Sequence, residues 1–249
     1  MKQYAIVFHD TYQFNDTANT LKYVIERIDE MIFILYYKEP DIIKPIILID
    51  EEYARLFNNV MHITLREYND LLDLDLNYKA LLKLKKHYAI PFTDRLEPLA
   101  LYRVLADYKQ IEEQDIAVFA MHIKAKDSRS NIALYLKKHE KVRDSIYHAY
   151  NDMIKHKLSA KHYLANIMIA SNTNKLFNEL LVALKDMLIW KRIKYSNIIY
   201  NKPKRPLLNS DRYPILADFE IVSLMLPDSI NNMRILTDGV KPYTSGSML

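Results

Sequence analysis

The chain has 249 residues, half of them hydrophobic and 27% charged, which suits a folded core and excludes a disordered chain. There is no cysteine and only two glycines occur, Gly239 and Gly246. Disulfides, thiolate metal sites and cysteine nucleophiles are therefore excluded, and so are phosphate-cradling loops, whose amides approach a ligand closely only where glycine permits it. The formal net charge of +4 hides an asymmetry, because residues 1–120 carry 14 Lys+Arg against 20 Asp+Glu while residues 121–249 carry 21 against 11.

The N-terminal stretch "MKQYAIVFHDTYQF" is interrupted by His9 and Asp10 and does not read as a secretory signal. The longest apolar run, "MIFILYY" (31–37), is far short of the roughly 20 residues a membrane span needs. Residues 4–8, 31–37, 42–49 and 60–65 are β-branched or aromatic runs of strand length. Between them, 16–29 and 51–57 read as helices, so residues 1–90 form a small mixed α/β lobe. Pro45 argues for an edge strand over 42–49. "IILIDEE" (46–52) has the look of a Walker B segment. With no P-loop it reads as a strand running into a helix.

From Leu99 to Lys202 there is neither proline nor glycine, which predicts long helices. Residues 99–111, 131–156, 160–170 and 174–200 are the candidates. The last is the clearest, with Phe177, Leu181, Leu184 and Leu188 on one stripe. After Pro203 the character changes. Residues 202–214 read as an extended basic connector, 215–227 as a strand or short helix, and the glycine-bearing tail as irregular. The predicted fold is mainly α within the α+β class: the mixed lobe at 1–90, a long-helix bundle at 91–202 and an extended C-terminal segment at 203–249.

Two stretches carry candidate chemistry. "KVRDSIYHAYND" (141–152) contains Arg143, Asp144 and His148. The spacing resembles the R-x(4–6)-H motif of HEPN ribonucleases, which lies on a helix and meets a second copy across a dimer. The resemblance implies RNA cleavage, with His148 as acid or base, Arg143 offsetting phosphate charge and Asp144 as the polar neighbour. The alternative is the polar face of an ordinary helix, where Asp144 and His148 sit one turn apart and Arg143 points about 140° from His148.

The second stretch, 185–206, holds seven basic residues and one acid, interleaved with Trp190, Tyr195 and Tyr200. Lys191, Arg192, Lys194, Lys202, Lys204 and Arg205 are candidates to meet DNA or RNA phosphates, or an acidic partner. The histidines show no H-E-x-x-H spacing. "DLLDLDLN" (70–77) lacks the glycine turn and terminal glutamate of a calcium loop, so neither metal nor cofactor is expected.

These features point away from catalysis. They suggest a structural or interaction subunit of a large assembly, built from copies of itself and other subunits. A virus or bacteriophage particle, with a portal, collar, tail ring or adaptor role, suits the Ile-, Lys-, Asn- and Tyr-rich usage. Such a subunit is expected in the host cytoplasm during assembly and then in the particle. A nucleic-acid-binding accessory subunit is the remaining alternative.

Overall fold

The computed structural model describes residues 1–38, 42–70, 72, 76–84, 88–93, 95–98, 101–107, 115–139, 145–186, 190–192, 215–231 and 233–237. The strands among them are β1 (Lys2–Phe8), β2 (Glu30–Lys38), β3 (Lys44–Ile49), β4 (Ile63–Glu67), β5 (Tyr78–Leu84), β6 (Ile116–Ala125), β7 (His162–Ser171), β8 (Trp190–Arg192) and β9 (Ile215–Ala217). They join one sheet in the order β4-β1-β3-β2-β6-β7-β5-β8. β9 pairs the start of β7 at His162–Leu164, while β5 pairs its end at Met168–Ser171. Every ladder is antiparallel.

The helices are α1 (Phe14–Ile25), α2 (Glu51–Ala54), α3 (Leu101–Asp107), α4 (Arg129–His139), α5 (Ser145–Ser159), α6 (Asn174–Asp186) and α7 (Asp218–Met225), with a 3-10 turn at Arg55–Asn59. Alternation along the strands explains the layering. Met31, Phe33, Leu35 and Tyr37 of β2 point to one face. Ala117, Phe119, Met121 and Ile123 of β6 join them there, as do Tyr163, Ala165, Ile167 and Ile169 of β7. The apolar sides of α1, α3, α6 and α7 pack on that face and complete the main core. The cluster on the opposite face is built from β2, β3, β6 and β7 with Tyr68, Leu72 and Leu76, and among the described residues no helix residue contributes to it.

This corrects the expectation of a mainly α protein with a long-helix bundle at 91–202: β6, β7 and β8 lie in that stretch, and the sheet joins them to β2 and β5. The physical reason is that proline and glycine are as unwelcome inside strands as inside helices, so their absence does not choose between the two. Residues 160–170, expected to be helical, form most of β7. Burial instead follows the period of two, with Tyr163, Ala165, Ile167 and Ile169 inward and Leu164, Asn166 and Met168 only partly covered. The single helix expected over 131–156 is two helices, α4 and α5. The helix expected over 174–200 ends at Asp186, with Phe177, Leu181 and Leu184 buried as the stripe required.

The N-terminal strands and helices form close to where the sequence places them. β3 is interior rather than an edge. Its ladder with β1 stops at Ala5↔Ile46, so Pro45 lies beyond the last pair and interrupts nothing there.

Helix ends in this chain lack the usual glycine caps, and tyrosine takes over part of that role. The Tyr163 hydroxyl shares its one proton between the carbonyls of Ile25, the last residue of α1, and Ile28 beyond it. Tyr102 donates to the Met225 carbonyl at the end of α7 (2.6 Å), and Tyr12 to Pro227 (2.7 Å). Burial pushes all three phenols well above their ordinary value, so each remains a donor.

Candidate functional site

Among the described residues, a group of buried ionisable side chains surrounds α7. This helix is buried along its whole length from Asp218 to Met225. A helix apolar all round belongs in a core. Asp218, Glu220 and Ser223 are the exceptions in its sequence, and burial obliges each to find partners.

Glu220 finds three. Its Oε1 accepts the Phe92 amide at 2.9 Å. Its Oε2 accepts the Ala217 amide at 2.8 Å and the Lys157 ammonium at 2.6 Å. Lys157 reaches in from α5 and also donates to the Ile215 carbonyl at 2.7 Å. Both ions have 0% exposure. Burial pulls the Lys157 ammonium below its ordinary value, against the opposing pull of Glu220. Asp218 accepts the amides of Lys161 and Phe219 at 3.1 and 2.6 Å, with the Lys22 ammonium at 3.8 Å. Burial pushes its carboxyl up, and Lys22 partly offsets this. Ser223 accepts the Glu97 amide at 3.3 Å.

His162, at the start of β7, donates from Nε2 to the Lys157 carbonyl at 2.7 Å. Its burial holds the imidazole below its ordinary value. His156, one residue before Lys157, stacks on Phe219 with ring centroids 4.5 Å apart. The cluster ties α5, β7, α7 and the segment around Phe92 into one unit. Both Glu220 oxygens are engaged, so the arrangement braces the fold rather than offering a base to a substrate.

A second polar group closes the loop after β1. His62 holds φ at 62°, in the left-handed region, and its carbonyl accepts the His9 amide at 2.9 Å. Its ring lies 3.0 Å from the Thr11 hydroxyl and 3.8 Å from Asp16. Asn, Asp and His are the non-glycine residues that best tolerate this conformation, which fits a chain with no glycine before residue 239.

Of the residues singled out in the sequence, His148 lies on α5. Arg143 and Asp144 fall outside the described residues. Lys191 and Arg192 lie on β8, opposite Lys83 and Leu82 of β5. Lys194, Lys202, Lys204 and Arg205 are outside the described residues. Of the Arg143, Asp144 and His148 set the described residues therefore hold His148, and the register adds Lys83 as a neighbour of the basic stretch.

Lys157, His162, Asp218 and Glu220 were not foreseen. The available signal was two carboxylates inside the apolar run "ILADFEIVSLML" (215–226). Acids there are buried only when paired. Among the described residues no group of three or more His, Asp or Glu is placed to hold a metal. Among them, too, no helix is long and apolar enough to cross a membrane. Comparison with protein-family models and with curated proteins gives no match.

Proposed function

We propose that the chain is a structural or interaction subunit of a large macromolecular assembly, of the virus or bacteriophage particle type, working through contacts with copies of itself and other subunits. The carrying observation is an apolar row on the sheet face that the core helices leave uncovered. The register places Ala5, Ile46, Ile34, Ala120, Met168 and Leu81 side by side across β1, β3, β2, β6, β7 and β5. The last four remain partly exposed, as do the neighbouring Ile32 and Leu48. Gln3, Glu30, His122, Lys124 and Asn166 frame this row on the same face. An apolar centre inside a polar rim is the usual anatomy of a protein interface.

The test is the size of the purified chain by light scattering. Wild type is expected to form multi-subunit species. Ile34→Lys and Met168→Lys are expected to reduce them to monomers with an unchanged circular dichroism spectrum. A chain that is monomeric at every concentration and turns over a small substrate overturns the proposal.

A second reading, nucleic-acid contact, is favoured by the β5–β8 ladder, which sets Lys83 opposite Lys191. The register brings a lysine from a distant part of the chain to the basic stretch, and gathered basic residues are what a polyanion neutralises. Binding of nucleic acid should then weaken steeply with salt, and Lys191→Glu or Arg192→Glu should weaken it further. A flat salt response removes this reading.

A further inference from the structure

The hairpin of α4 and α5 is a satellite of the molecule. Ile132, Leu136 and Ile154 form a small apolar cluster with Ala89 and Ile90, separate from the main core. Its seam with the body runs through Lys157, His156 and His162. The short apolar cluster of Ala160, Ala217, Phe219 and Leu96 lies beside it. Lys157 is gripped at both ends: Glu220 and the Ile215 carbonyl hold its ammonium, and His162 holds its carbonyl. His162 is 3% exposed, so this contact is shielded from bulk solvent.

We propose that protonation of His162 releases the α4–α5 hairpin from the body of the molecule, making the hairpin an acid-sensitive flap. The charged groups that act on the imidazole come from α5 and from the start of α4, while Ala217 of β9, paired with His162, is apolar. The Lys157 ammonium comes from α5, Arg129 from the start of α4 and Asp127 from the turn before α4. The adjacent Lys126 amide donates to the His162 carbonyl, and Asp218 at the start of α7 is occupied with the Lys161 and Phe219 amides. Lys157 and Arg129 oppose an imidazolium. Asp127 favours one, but it is solvent-exposed and screened. The bond to the Lys157 carbonyl also favours the charged ring, and burial outweighs it. Lifting the hairpin hydrates the ring and moves it away from both cations. One proton taken up per opening raises the opening constant by at most about tenfold per pH unit. This inference does not depend on the assembly reading.

Hydrogen exchange on the full chain, corrected for intrinsic rates, tests it from neutral to mildly acid pH. Amides of α4 and α5 are expected to lose protection by up to about tenfold per pH unit, through an opening lower in free energy than the one exposing β2 and β6. His162→Gln keeps a donor for the Lys157 carbonyl and is expected to abolish the pH response. In wild type, the loss of protection should set in below the ordinary imidazole value and level off where the folded His162 ring resonance titrates, which covers the case of a variant that does not fold. Constant hairpin protection, a response that survives in His162→Gln, a loss of protection that levels off away from the His162 ring titration, or equal protection in the hairpin and in β2 and β6 each overturns the proposal.

Discussion

At the residue scale the chain is defined by what replaces glycine. Tyrosine hydroxyls take the carbonyls that glycine caps would otherwise free for backbone amides, and His62 takes a left-handed position. Tyr163→Phe removes one buried donation, shared between two carbonyls, and is expected to cost about 1–2 kcal/mol in denaturant unfolding. His62→Val places a β-branched residue at positive φ and should cost about 1–2 kcal/mol, whereas His62→Asn should be better tolerated. The Lys157–Glu220 pair behaves differently, because removing one partner strands a buried charge. Lys157→Met or Glu220→Leu alone is expected to cost about 3–5 kcal/mol, and the double change much less than the sum. The same unfolding experiment on the three variants checks this.

pH acts on the same residues. The folded imidazole of His162 lies below its ordinary value of 6.5. Its contribution to stability is complete above 6.5 and is lost as pH falls from there through the folded value. Asp218 has the opposite sign. Its folded carboxyl lies above 3.8, so the contribution is complete below 3.8 and is lost as pH rises through the folded value. Unfolding free energies measured across this range should show the His162 slope vanish in His162→Gln and the Asp218 slope vanish in Asp218→Asn.

At the scale of elements, the N-terminal strands and helices were legible because each is short, distinct in composition and bounded by polar turns. The 99–202 stretch was not. β7 and α6 are similarly apolar and equally free of breakers, and only the spacing of buried positions separates them. β6 carries the same two-residue alternation as β7, with Ala117, Phe119, Met121 and Ile123 inward. α7 could be read as either strand or helix because "DFEIVSLM" is apolar on every side. Its helical state reflects burial among α1, α3 and the sheet rather than amphipathic pattern. Asp218→Asn keeps hydrogen-bonding capacity at the start of this helix and should leave its protection from exchange intact. Asp218→Ala should reduce it, because two buried amides lose their acceptor.

At the scale of the whole molecule, the sheet presents a helix-covered face and a second face with a partly exposed apolar row. On the proposed reading that second face meets neighbouring subunits. The ribonuclease alternative is decided by Arg143→Ala and His148→Ala. An RNA cleavage activity that survives both changes removes it, and one abolished by either supports it. The basic stretch gains meaning only from the register that sets Lys191 opposite Lys83, residues more than 100 positions apart in the chain.

By itself the sequence determined the absence of thiol chemistry and phosphate loops, the N-terminal strand–helix order and the apolar stripe of α6, because each rests on residue type or local spacing. Tertiary structure decided that β7 is a strand, that Lys157 and Glu220 meet 63 positions apart, and which sheet face the described helices pack on. Those outcomes depend on pairing between distant segments, and the burial that rewards such pairing exists only once the segments have come together.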